Sequence, residues 1–376
     1  MKRLLILFVL VVSLPSVSAI LPEEANWTQR GFDSHHRGSA PWSIGSKLSS
    51  PNMISLSHSL EGFVTWGDAI ICNASNNKII LYGKNGVKFW EIALSAKPVG
   101  IPLVYNKNIY VTTDDGSVAA FDESNGKTIW SRKALGYCST DICSSGFLGV
   151  FGGSSSVVCF DLRSGAMRWK VNVPKDPLPV AIYGNLIIVN YMRGIRCLRL
   201  TDGKTIWDYA APKDSFEPPN FVGVPTVSQG RAIVCLSNMT TLCFSVFSGK
   251  LLWSAVRPYS KANPTIDGGN IYLPGLGKLV CISLGTGKTL WECLIPKDQL
   301  WVQAIKTSDF IYLGGSEGSI YVLTPNGKVK ERLNIVGGVA IEMSLGYDYL
   351  VVADYKYDKE TKISVRMYIY TAMRNQ

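Results

Sequence analysis

One thirteen-residue pattern recurs down most of the chain, and a repeat of fixed period restricts the fold more than any other feature of a sequence. It reads KIILYGKNGVKFW ending at Trp90, VAAFDESNGKTIW at Trp130, VVCFDLRSGAMRW at Trp169, IRCLRLTDGKTIW at Trp207, TLCFSVFSGKLLW at Trp253 and LVCISLGTGKTLW at Trp291. A seventh copy, SIYVLTPNGKVKE, carries Glu331 in place of tryptophan. The turn glycines Gly86, Gly126, Gly165, Gly203, Gly249, Gly287 and Gly327 are spaced by 40, 39, 38, 46, 38 and 40 residues. Each copy reads as a β-hairpin: a strand of β-branched and aromatic residues, a turn whose glycine permits positive φ, then a strand bearing tryptophan. A second pair of strand signals precedes most hairpins, as in PLVYNKNIYVTTDDG and PTIDGGNIYLPG. Four strands per period of about 40 residues is the blade of a β-propeller.

Counting the blades needs both chain ends. The stretch from Leu60 to Leu94 supplies a full first blade, and the seventh finishes near Ile335. Three strand signals remain, Gly338 to Leu345, Tyr349 to Tyr355 and Lys362 to Thr371, and Asn52 to Ser57 offers a fourth. Mixing the two termini in this way predicts an all-β, eight-bladed ring with its edges protected; seven blades is the alternative.

The pattern A-[LF]-D-x-x-[TN]-G-K-x-x-W resembles the tryptophan-docking repeat of the PQQ-like, quinoprotein-type propellers over residues 60 to 334. WTQRGFDSHHRG, Trp27 to Gly38, is similar to the segment that precedes the first blade in that superfamily. The resemblance implies that Trp90, Trp130, Trp169, Trp207, Trp253 and Trp291 dock between blades, and that the seam after Glu331 is looser. Quinone-dependent dehydrogenases of this type are usually longer, and many carry a vicinal cysteine pair and a calcium-ligating acid cluster. This sequence has neither, so it resembles the non-catalytic branch, which includes the outer-membrane assembly propellers.

Residues 1–19 read as a signal peptide: Lys2 and Arg3, the apolar run Leu4 to Val12, then Pro15 and small residues up to Ala19. The run is shorter than the ~20 residues a spanning helix needs, and no later segment is long enough, so no transmembrane segment is expected. The division is then residues 1–19 signal peptide, 20–51 lead-in segment and 52–376 propeller, in a secreted or otherwise extracytoplasmic product. Without Lys2 and Arg3 the chain carries 36 basic and 28 acidic side chains, a modest excess with no block of five like charges. That suits at most a weak contact with an anionic glycan or surface and does not point to nucleic acid.

Chemistry-bearing residues are sparse. The three histidines, His35, His36 and His58, lie before residue 60. GGSEG at Gly314 to Gly318 spells a nucleophile elbow but joins two strands, and the GKT triplets lack the glycine a phosphate loop requires. No catalytic residue and no metal site is therefore assigned, and the reading leans away from an enzyme. Cys159, Cys197, Cys243 and Cys281 each stand six residues before a turn glycine, so they belong to separate blade interfaces. Cys138 and Cys143, in GYCSTDICSSG, lie off that register and are the candidate disulfide; Cys293 has no obvious partner.

The functional expectation is an exported, non-catalytic binding or assembly scaffold that presents loops to a protein or glycan partner. The alternative is a pyrroloquinoline quinone or other small-ligand binding protein, redox-active if the quinone is held; no cofactor is expected otherwise. Candidate contact residues lie in the VPKD, APKD and IPKD loops (Lys175, Lys213, Lys297), in the enlarged SFEPPNF loop (Phe216, Phe221) and at Trp301. Asn26, Asn73 and Asn238 are N-glycosylation sequons, which suits a glycoprotein where the host glycosylates.

Overall fold

The computed structural model describes residues 33, 36–56, 58–133, 138, 140–174, 179–211, 219–256, 262–300, 302–334, 339–356 and 364–373. The proposed signal peptide and Asn26 lie outside this set. Eight antiparallel sheets, seven of four strands and one of three, follow one another along the chain. The first runs from Leu60–Trp66 to Lys88–Ala93 and the seventh from Ile305–Lys306 to Val329–Asn334. The three-stranded sixth sheet has merged its second and third strands into Asn270–Ser283. The eighth takes Val339–Leu345, Tyr349–Lys356 and Ser364–Thr371 from the C-terminal end and Asn52–Leu56 from the N-terminal end. Asn52 to Leu56 pair antiparallel with Ile369 to Val365, so the eight-bladed expectation holds and the chain ends are bonded within one sheet.

Eight apolar clusters join the sheets, one for each neighbouring pair. Val64, Ile71 and Leu81 of the first blade meet Ile101, Ile109 and Phe121 of the second. At the other end of the ring, Val351, Met367 and Ile369 of the eighth meet Phe63, Ile70 and Cys72 of the first. Most of these side chains are fully buried, and a ring has no free end at which an interface could fray.

Tryptophan docking has a specific geometry. The indole nitrogens of Trp90, Trp130, Trp169, Trp207 and Trp253 donate to the carbonyls of Glu123, Leu162, Leu200, Val246 and Leu284 at 2.7–3.1 Å. Each acceptor lies three residues before the turn glycine of the next blade. The rings of Trp130, Trp169, Trp207, Trp253 and Trp291 lie flat against that glycine, where an added Cβ would meet them at 2.6–2.7 Å. These glycines adopt φ near +70 to +83°, so both the turn and the docking require the missing side chain. The residue before each tryptophan sits where the register with the third strand shifts, which kinks the outer edge and discourages pairing with another chain.

Glu331 now has an explanation. The blade it faces is the eighth, whose third and fourth strands belong to opposite ends of the chain and share no hairpin turn. There is no turn glycine for an indole to cover. The lead-in segment fills the seam instead: Ala40, Trp42, Ile44 and Leu48 join the cluster between blades seven and eight. The Trp42 indole donates to the Gly346 carbonyl at 3.1 Å, and the Tyr312 hydroxyl donates to the Gly45 carbonyl.

Candidate functional site

Strand alternation separates two faces. One carries the turns between second and third strands together with the blade-to-blade loops; we call it the loop face. The other, the turn face, carries the hairpins joining first to second and third to fourth strands.

The loop face is pinned to the inner strands by two matching latches. In PVGIP of the second blade and FVGVP of the fifth, the central glycines adopt φ of +63° and +70° beside a register shift. The Ile101 amide donates to Asp141 Oδ1 at 3.1 Å and the Val224 amide to Asn263 Oδ1 at 2.9 Å, each acceptor coming from the loop that enters the next blade. A Cβ at Gly100 or Gly223 would collide with those same oxygens, at 1.8 and 2.6 Å. From the preceding blades, Asn73 Nδ2 donates to the Gly100 carbonyl at 2.9 Å and Asn190 Nδ2 to the Gly223 carbonyl at 3.4 Å. Repetition of VG[IV]P was the available sequence signal, but its carboxylate and amide partners lie about 40 residues downstream and have no fixed spelling.

Asp298, of the IPKD loop, is a third anchor. It is buried and accepts from the Tyr321 hydroxyl at 2.9 Å, the Glu317 amide at 3.1 Å and the Ser316 hydroxyl at 3.2 Å. One PKD triplet therefore ends in a structural acceptor that holds the turn of blade seven. Lys297 belongs to the strand Thr289–Gln299. Lys175, Lys213, Phe216 and Trp301 lie outside the described residues.

Three site expectations are corrected. Phe221 is not an exposed loop aromatic; it opens the inner strand of blade five, 4% exposed, within the core shared with blade four. Asn73 is fully buried, with the nitrogen a glycan would occupy donating to Gly100, whereas Asn238 is exposed in its turn. Cys138 and Cys143 are not bridged, and all nine cysteines are thiols. Cys138 packs into the interface with blade two and Cys143 into that with blade four, so the two side chains point to opposite sides of the third sheet.

Burial pushes the thiols of Cys138, Cys159, Cys197, Cys243 and Cys281 up to about 12. Since the thiolate is the reactive form, we expect folded protein to resist N-ethylmaleimide at pH 8 and to take up nine labels after denaturation. A native mass shift of two or more labels would contradict this burial.

At the inner rim, Lys97 pairs with Glu61 at 2.9 Å and Arg37 with Asp33 at 2.7 Å. Residues 38–40 run along the inner edge of blade seven: the Lys306 amide donates to the Gly38 carbonyl at 3.0 Å and the Ala40 amide to the Lys306 carbonyl at 2.8 Å. The Ile266 amide of blade six donates to the Arg37 carbonyl at 2.7 Å. A tricarboxylate quinone needs uncommitted cations and a metal, and this rim fits it poorly. Its basic groups already face carboxylates, and among the described residues no three His, Cys, Asp or Glu side chains group to hold an ion. A cleft of about 160 Å3 between blades one and two, lined by Ile92, Leu94, Val111 and Phe121, is smaller than the roughly 300 to 1,000 Å3 of a typical ligand pocket.

A family model described as outer membrane protein assembly factor BamB matches residues 27–148 and 153–329. The chain belongs to this family. Among curated relatives, the family member of Bordetella pertussis is 22% identical over 298 residues, covering 64% of this chain and 76% of the relative. That of Nitrosomonas eutropha is 23% identical over 222 residues, 54% of this chain and 53% of the relative, so the match spans about half of that protein. Among solved structures, BamB from Moraxella catarrhalis aligns with a TM-score of 0.69 at 16% identity, covering 86% of this chain and all of that one. Quinohemoprotein alcohol dehydrogenase from Comamonas testosteroni aligns at 0.72 and 11% identity, over 94% and 81%. At such identities the structures establish the shared propeller alone.

Proposed function

We propose that the protein is a non-catalytic scaffold for the assembly of other proteins outside the cytoplasm, at an outer membrane, with the loop face as its contact surface. The observation that carries this reading is a family of assembly factors on a ring whose loops are held by backbone latches rather than arranged around reacting groups. A rigid ring that gathers loops onto one face is a suitable binding platform. Lys175, Lys213, Phe216, Lys297 and Trp301 are its proposed contacts. Phe221 is not among them. Asn238 is the sequon suited to carry a glycan, and a glycan partner on this face is the finer possibility.

Site-specific photo-crosslinking tests the proposal. Probes replacing Asn172, Arg193 and Ser237 on the loop face are expected to yield adducts with envelope proteins. Probes replacing Asn125, Asp202 and Thr286 on the turn face are expected to yield none of those adducts. Equal adducts from both faces, or none from the loop face, would reject the assignment.

A further inference from the structure

Ring closure assembles a charge pattern on the turn face that the linear sequence disperses. Lys127, Lys204, Lys250, Lys288 and Lys328 each follow the turn glycine of their blade, and all five are exposed. Because every such turn lies on the same face, the five form an arc over blades two and four to seven. Acidic residues temper its early part: Asp122 and Glu123 share the turn of Lys127, Asp161 is held by Arg163 and Arg168, and Asp202 by Arg199. Over blades five to seven the third-to-fourth turns read SVFSGK, SLGTGK and TPNGK, with no Asp or Glu, while the first-to-second turns of blades six and seven carry Asp267, paired with Lys306, and the exposed Asp309.

Aromatic side chains stand on the same face. Phe247, in the turn of Lys250, is 63% exposed although its ring meets Tyr183 edge-on at 6.0 Å. Phe147 is 45% exposed and lies beneath the Arg163 guanidinium, 4.6 Å from ring centre. Tyr347 is 37% exposed on blade eight. Lysines interleaved with rings on a broad surface are the chemistry of a bilayer interface, where cations meet headgroup phosphates and rings enter the headgroup layer.

We propose that the turn face, centred on Lys250, Lys288, Lys328 and Phe247, docks on an anionic phospholipid surface. The cations lie around an arc of a face rather than along a groove, which suits a plane of headgroups better than a single polyanionic strand. The loop face then points away from the membrane. This inference does not depend on the identity of any protein partner, and its test contains none.

The experiment is co-sedimentation of the full chain with phosphatidylcholine vesicles, with and without phosphatidylglycerol. Binding is expected only to the anionic vesicles and is expected to fall steeply from low to physiological salt. The triple variant Lys250→Gln, Lys288→Gln, Lys328→Gln should bind on the order of a hundredfold more weakly. A triple variant removing the same charge elsewhere, Arg132→Gln, Lys133→Gln, Lys170→Gln, should bind within about threefold of wild type. Phe247→Ser should weaken binding at every salt concentration. Absence of binding to anionic vesicles at low salt would overturn the proposal. So would equal losses in the two triple variants, or displacement from vesicles by heparin or single-stranded DNA at lower charge equivalents than phosphatidylglycerol. All substitutions lie on exposed positions, and unchanged thermal melts would confirm that folding is intact.

Discussion

Truncating Trp130 to alanine is expected to lower the unfolding free energy by about 3 to 5 kcal/mol, the usual loss for a large buried aromatic. Against a total of roughly 5 to 15 kcal/mol, that is enough to leave the disc marginal. Three contributions converge on this ring. It is 8% exposed, its indole donates to Leu162 at 3.0 Å, and it meets Tyr110 of its own blade at 6.0 Å and Phe160 across the seam at 6.2 Å. Alanine would leave a cavity over Gly165 that a backbone held at φ +70° is poorly able to close, together with a carbonyl without its donor. The adjacent Ile129, 48% exposed at the kinked edge, is the control, and its alanine variant should stay within about 0.5 kcal/mol. Urea titration of the two variants measures the difference, and a Trp130→Ala loss below about 1 kcal/mol would mean that the girdle does not hold the seam. Glu331→Trp should bring no comparable gain, because the eighth blade offers no turn glycine opposite it.

Asp354→Ala is expected to be nearly as damaging. Asp354 is fully buried in the eighth blade and stands directly opposite Arg366, whose guanidinium contacts it at 2.5 and 3.1 Å. Arg366 also lies over the Tyr368 ring, 5.4 Å from its centre, and its side chain is 10% exposed. Removing the carboxylate leaves a buried cation without a counter-charge, a change that typically costs about 3 to 5 kcal/mol. Replacing both groups with apolar residues of similar volume removes that penalty, so Asp354→Leu with Arg366→Met should return to within about 1 kcal/mol of wild type or exceed it. Denaturant unfolding of the single and double variants decides the matter. A double variant as unstable as the single would show that the pair does more than neutralise itself.

The periodic part of the architecture was legible from residues alone. Trp90 to Trp291 and their glycines fixed the blade length, and the surplus strand signals at the two termini identified the shared eighth sheet. What escaped was whatever lacks a period. Trp42 fills the last seam from a segment with no repeat, and Asp141 and Asn263 act through partners a whole blade away. Phe221 and Asn73 were misread for one physical reason. Both stand near loops in sequence, but the inner and second strands where they sit are the most enclosed of each sheet, and position along a strand does not reveal which side is covered. The disulfide expectation failed similarly: a spacing of five residues says nothing about which interface each sulfur enters. The turn lysines were visible as members of the repeat, but only closure shows that they share a face.

The eighth sheet also has a bearing on biogenesis. Its outer strand, Asn52–Leu56, leaves the ribosome before the other seven blades and finds its neighbour, Ser364–Thr371, only after all of them have been made. Until then seven blades must wait as an open arc, with Met367 and Ile369 missing from the wall they later build against the first blade. A product that stops before Ser364 would present that unfinished wall to proteases and chaperones. Closure of the disc therefore waits on Ser364–Thr371, the one strand that joins the C-terminal part of the eighth sheet to Asn52–Leu56.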